Sequence, residues 1–259
     1  MALKRTGILI LLAITLLAVG IAALFLPRAL ENVAVVGFDS FLIRFLGLYG
    51  FLFLGIAALT TPFLAEITVA FGKPFKQIHH TFAAIGIVLI TLHPIVNAVQ
   101  RMSLDVFLPR FSSWTVFWML AGRPALILFY VGVGAAFLRM KIPKYWRDFH
   151  VLIYVVLFFG IVHANLLGED FANLGIKLTF DALFAAAMVG LAYKRYRNYA
   201  IKKKIPQPHE NPGSTVNKRN SRTNTQKTAK PHNTRTKKTL SALRIFNSAT
   251  SQTQQTLSL

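Results

Sequence analysis

The chain has 259 residues, of which 54% are hydrophobic and only 15% charged, against about 25% charged in an ordinary soluble domain. Lys and Arg number 29 against 9 Asp and Glu, a formal charge of +20. There is no cysteine, which excludes disulfides, thiolate zinc sites, cysteine-ligated iron–sulfur clusters and cysteine nucleophiles. Divided after Ile205, the chain falls into two parts. Residues 1–205 hold 20 basic and 8 acidic side chains and nearly all the apolar ones. Residues 206–259 hold 9 basic residues, one acid (Glu210) and 27 Ser, Thr, Asn or Gln in 54 positions. The first part reads as a membrane domain and the second as a basic, polar, disordered tail on the cytoplasmic side.

A spanning helix needs about 20 mostly apolar residues, and six runs qualify. The first covers about 7–26. Although Lys4 and Arg5 precede it, it is too long for a signal-peptide core of roughly 7–15 residues and no A-x-A site follows. The second covers about 41–63, with Arg44 near one end, and the third about 78–99. The fourth, about 116–138, is interrupted by Arg123-Pro124. The fifth covers about 149–167. The sixth, about 174–193, carries Lys177 and Asp181. Lipid forces the backbone to satisfy its own hydrogen bonds, so these are helices. The expected fold is an all-α membrane protein, a six-transmembrane-helix bundle.

Basic residues in the loops set orientation. With the N-terminus inside, 23 Lys and Arg fall inside, counting the tail, and 6 outside. This predicts both termini in the cytoplasm and insertion in the inner (plasma) membrane. The run 194–204, KRYRNYAIKKK, reads as a stop signal or an anionic-lipid patch. The tail has charge but only one aromatic, Phe246, and so lacks the stacking side chains of a nucleic-acid binder.

Seven histidines are present. His209 and His232 lie in the tail. The other five fall in only two spans: His79, His80 and His93 in the third, His150 and His163 in the fifth. Ionisable groups within a bilayer are costly and point to function. His79 and His93 are fourteen residues apart, roughly 21 Å along a helix and about 40° from a common face. His150 and His163 are thirteen apart, roughly 19.5 Å but about 140° from a common face on an ideal helix. Either a distortion at Gly160 or a start of the regular helix after His150 would reconcile this. The two spans run in the same direction, so His79 lies level with His150, and His93 with His163. Adjacent residues do not share a helix face; the fourteen-residue spacing favours His79, with His80 the alternative ligand if the helix starts differently. Two facing imidazoles suit haem, which supplies four nitrogens of its own and needs two axial ligands. Two such levels about 20 Å apart would carry electrons across an apolar layer about 30 Å thick. The opposing class is a haem-free polytopic transporter or proton channel whose histidines relay protons.

At these residues the chain resembles the ferric reductase-like transmembrane family. IHHTFAAIGIVLITLHPI (78–95) is similar to its first histidine helix. KYWRDFHVLIYVVLFFGIVHANLLG (144–168), with its W-R-x-x-H-x-x-x-Y opening, is similar to the second. The resemblance covers roughly 45–195. It implies one or two b-type haems, bis-histidine ligation of the iron by His79, His93, His150 and His163, and transmembrane electron transfer. NADPH oxidases and ferric reductases of the family carry a flavin and nicotinamide domain; only 54 polar residues follow the core here, with no glycine-rich nucleotide loop. The implied role is therefore an electron-transfer subunit of an oxidoreductase. Its donor is separate, a flavin reductase bringing FMN or a quinol, and a protein or metal ion accepts electrons at the outer face. In shape the chain is closest to the bacterial haem-binding subunit of periplasmic methionine sulfoxide reductase. That subgroup usually has an arginine pair where His79-His80 stand, and histidine at 79 supports a second haem.

Lesser features complete the reading. Pro94 frees the Ile90 carbonyl and is a kink or an aid to aiming His93. Lys177 and Asp181 share a face as a neutralising pair, with a proton, quinone or haem-propionate role as the alternative. Arg123 snorkels to the interface or meets an outer propionate. Trp114, Trp118 and Trp146 read as aromatic belt, and Tyr154 as packing.

Overall fold

The computed structural model describes residues 4–204. The polar tail, with the boundary expected after Ile205, lies outside the described residues. Among those residues the regular structure is all helix, with no strand, an integral membrane bundle. The helices are α1 (Arg5–Val36), α2 (Phe38–Thr60), α3 (Leu64–Phe71), α4 (Phe75–Gln100), α5 (Trp114–Met119), α6 (Gly122–Phe137), α7 (Trp146–His150), α8 (Leu152–Leu167) and α9 (Leu174–Lys204). Six continuous stretches are long and apolar enough to cross a membrane: Arg5–Val33, Phe38–Phe71, Phe75–Gln100, Gly122–Met140, Trp146–Leu167 and Leu174–Ile201. They match the expected spans, five of them with longer ends; the fourth starts later than expected, at Gly122, because 114–119 forms the separate helix α5. Backbone hydrogen bonding continues past the apolar window wherever no Pro or Gly stops it. In α9 it runs through the basic cluster to Lys204.

The breaks have local causes. Gly37, at φ +100, separates α1 from α2, a conformation open to glycine because it has no Cβ. Gly72, at φ +64, closes α3 with its N–H on the Thr68 carbonyl, and Pro74 then precedes α4. Pro62 and Pro124, each without an N–H to donate, mark the end of α2 and the start of α6.

The central helix is α2. Leu46, Leu52, Leu54, Ile56 and Ala57 are buried, whereas α1 turns Leu9, Leu16 and Val19 outward, as suits a lipid-facing surface. The α2/α4 hairpin is closely packed. A Cβ on Gly50 would lie 2.7 Å from Ile90 Cγ1, and one on Gly86 would lie 2.9 Å from the Leu54 backbone nitrogen. Small residues of this kind let membrane helices approach where no hydrophobic drive between them exists. The second hairpin pairs α6 with α8, around buried Ala125, Phe129, Tyr154 and Leu157. Between α2 and α9 lies an apolar cluster that includes Leu48, Leu52, Ile161, Ile176 and Phe180.

One strong polar tie crosses this core. Arg44 on α2 donates from Nε to Asp170 Oδ2 at 2.9 Å and makes a second contact through Nη2 to Asp170 Oδ1. Glu169 lies 3.4 Å from Nη1. Asp170 is only 3% exposed. A fork-shaped guanidinium matches a carboxylate bidentately, so this pair pins the turn between α8 and α9 to the end of α2. Arg44 had been expected only near a helix end; its partner is 126 residues distant in sequence.

Candidate functional site

Each of the four aligned histidines makes the same bond. Its Nδ1 meets a backbone carbonyl on the neighbouring antiparallel helix: His79 with Ala57 at 3.0 Å, His93 with Ile43 at 2.9 Å, His150 with Gly132 at 3.1 Å and His163 with Met119 at 2.7 Å. A carbonyl can only accept, so Nδ1 carries the proton in each contact. Nε2 is then the lone-pair nitrogen of a neutral imidazole, and among the described residues no hydrogen bond uses it. This is how metal-bound histidines are held: one ring nitrogen oriented by an outer acceptor, the other facing the metal.

The acceptors follow the register of the hairpins. The fourteen residues from His79 to His93 are matched by the fourteen from Ile43 to Ala57. The thirteen from His150 to His163 are matched by the thirteen from Met119 to Gly132. Each hairpin therefore holds its two imidazoles at two heights by one antiparallel pairing.

Proline supplies two of these carbonyls. In an uninterrupted helix the Met119 carbonyl would accept from Arg123 N–H. Pro124 has no N–H for Leu120, so Arg123 N–H turns to the Leu120 carbonyl at 2.9 Å and Met119 is left to His163. Likewise Thr61 N–H bonds Ala58, one residue short of the helical partner, just before Pro62, and the Ala57 carbonyl is opened to side-chain donors, His79 among them. Both carbonyls stand five residues before a proline. Glycine clears the way for the other two. A Cβ on Gly47 would come within 3.1 Å of His93 Cε1 and Nδ1, and Gly132 presents its own carbonyl to His150 without a side chain on that residue.

The rings of His79 and His150 define one pair. His79 and His150 lie with centroids 6.5 Å apart and planes at 79°. Two metal–nitrogen bonds of about 2 Å each, plus the half-depth of both rings, span roughly 6 Å, so this spacing fits one metal ion between two imidazoles. Phe75 stacks on His79 at 5.3 Å, and Trp146 lies 6.2 Å from His150. His93 and His163 stand at the other end of the same two hairpins, each held by its own carbonyl. Beside His163 stands Gly122, where a Cβ would lie 3.2 Å from Nε2 itself. Among the described residues no three His, Cys, Asp or Glu side chains converge as a metal cage. Haem brings four nitrogens of its own and would need only two from the protein; the His79 and His150 rings would fit that requirement.

The thirteen-residue spacing finds its explanation at Val151. His150 ends the short helix α7, and the regular helix α8 begins only at Leu152, so ideal helical phase does not run from His150 to His163. The distortion is not at Gly160, which lies within α8 against Phe51. His80 is exposed, whereas His79 carries both the carbonyl bond and the ring facing His150.

The lesser features resolve differently. Arg123 Nη1 donates to the carbonyls of Asp105 (2.6 Å) and Leu108 (3.0 Å), tying down the outer turn after α4 rather than snorkelling free. Lys177 and Asp181 lie 3.7 Å apart, and Asn165, unremarked in the sequence, bonds both of them. The trio opens into a cavity of about 450 Å³ walled by Ile161, Val162, Leu166 and Phe184. Tyr154 is buried and donates to the Ala58 carbonyl at 3.1 Å, so it packs and also closes the proline-freed end of α2. Pro94 sits inside a continuous α4. The carbonyl acceptors and the glycines beside the rings escaped the sequence reading. Their signal was present in Pro62 and Arg123-Pro124, whose positions name the freed carbonyls once the helix direction is known.

No family model, curated protein or solved structure matches the chain.

Proposed function

We propose that the protein carries electrons between the two faces of the membrane through bis-histidine b-type haem. His79 and His150 hold the inner group, and His93 and His163 the outer. The observation that carries this reading is the common state of the four imidazoles. Each has its Nδ1 proton committed to a carbonyl, which leaves each Nε2 as a donor to iron. When bound, haem supplies a one-electron iron couple inside a layer where no protein side chain offers one.

The chain's own residues do the rest. With two imidazoles given to each haem, neither level would keep an iron position open for a substrate, and the role would be transfer rather than turnover. The antiparallel hairpins hold the levels roughly 20 Å apart along the helices, bridging most of a hydrocarbon core about 30 Å thick. Leu54, Phe129, Tyr154 and Leu157 bury the space around the inner half of the bundle and keep water from it.

The basic loops support cytoplasmic termini and the inner (plasma) membrane as the site of insertion. Electrons would enter from a separate flavin reductase or a quinol and leave to an acceptor protein or metal ion at the outer face. The family proposed is the ferric reductase-like transmembrane proteins, on the two histidine helices alone. The test is optical: protein purified with haem present should give a reducible bis-imidazole b-type spectrum, lost in the fourfold His→Ala variant. A colourless wild-type protein would overturn the proposal.

A further inference from the structure

We propose that Thr60 and Thr61 are positioning residues that raise the redox potential of the inner haem alone, by competing with His79 for one carbonyl. The inference rests on the reading that His79 and His150 ligate haem.

The Ala57 carbonyl receives three side-chain donors. His79 Nδ1 stands at 3.0 Å, Thr60 Oγ1 at 2.8 Å and Thr61 Oγ1 at 3.2 Å. A carbonyl oxygen has two lone pairs, so three donors share two. The other three histidine acceptors differ: Ile43, Gly132 and Met119 each receive one side-chain donor among the described residues, and Met119 holds His163 at 2.7 Å. Threonines often bond back to the carbonyl three or four residues earlier. Thr60 reaches back three residues and Thr61 four, so that habit brings both hydroxyls to the single carbonyl that also orients a histidine. Thr60 is 8% exposed, so its hydroxyl is committed there, away from water.

The chemistry has a definite sign. An imidazole whose N–H bonds a strong acceptor gains imidazolate character, donates more strongly to iron and favours the ferric state. The threonine hydroxyls draw on the Ala57 lone pairs, weaken the bond from His79 and leave a less basic ligand, which favours the ferrous state. The couple concerned adds one electron at iron; no bond is made or broken, and the proton on Nδ1 stays in place.

The experiment is a potentiometric titration of full-length protein, followed optically. It compares wild type, Thr60→Val, Thr61→Val, the double variant and Thr60→Ser, each also in a His163→Ala background that isolates the inner haem. Valine keeps the branched shape and removes only the hydroxyl. The inner midpoint should move to more negative potential in each valine variant and further in the double. It should return towards wild type with serine, with the outer midpoint unmoved throughout. An inner midpoint that stays fixed, or both midpoints moving together, would overturn the proposal. If the double variant fails to fold, the single variants and the serine rescue decide it. Wild-type protein without haem would overturn the underlying reading, whereas haem present with a fixed inner midpoint overturns only the role of the threonines.

Discussion

Replacing Pro124 with alanine should disable one haem level while leaving the fold intact. Pro124 is the third residue of α6, in the first turn, where a missing N–H breaks no helical bond. Alanine is at least as good there, so stability should be nearly unchanged. The local hydrogen bonding is not neutral. Alanine supplies an N–H to the Leu120 carbonyl, which frees Arg123 N–H to return to Met119. The Met119 carbonyl then belongs to the helix, and the 2.7 Å bond from His163 is weakened or lost. A typical hydrogen bond contributes about 0.5–1.5 kcal/mol net. Loss of an outer partner that orients a metal-bound histidine usually costs roughly 10–100-fold in affinity. The assay is haem titration of the apo-protein, with His163→Ala identifying the outer signal. The outer affinity should fall by roughly that factor with the inner unchanged. Unchanged outer affinity, or loss at the inner level instead, would refute the argument that proline makes this acceptor.

Three further outcomes follow from the same structure. His79→Ala should abolish the inner haem signal, whereas His80→Ala, at an exposed ring, should leave it, as read by reduced-minus-oxidised spectra. Arg44→Leu or Asp170→Leu alone should destabilise by about 3–5 kcal/mol, because each strands a buried charge, while the double variant should recover most of the loss; thermal melts of detergent-solubilised protein measure both. Truncation after Lys204 should leave haem content and membrane insertion at wild-type levels, measured by absorbance and membrane fractionation.

The apolar runs made the six spans legible, because length and hydropathy alone constrain a membrane helix. Spacing and direction singled out four histidines, and the structure gives each of them an Nδ1 bond to a backbone carbonyl and sets the rings of His79 and His150 6.5 Å apart. What could not be read was set by tertiary contact. The identity of the Nδ1 acceptors depends on hairpin register, which α2 and α4 fix through Gly50 and Gly86. The Arg44–Asp170 pair joins positions that no local pattern links. Of the two ways to reconcile the thirteen-residue spacing, a distortion at Gly160 or a regular helix starting after His150, the sequence does not choose, and the structure has the second, with the break at Val151. Asn165 gave no signal because a lone amide in an apolar run has no periodic partner; only the return of α9 brings Lys177 and Asp181 to it.

The central claim is two levels, each an imidazole pair, and haem per polypeptide measures it most directly. Wild-type protein should carry two haems per chain. His150→Ala should carry one, and His93→Ala and His163→Ala should each lose the same other one. A ratio of one that His150→Ala leaves unchanged would contradict the inner pair. Independent losses in His93→Ala and His163→Ala would contradict the outer.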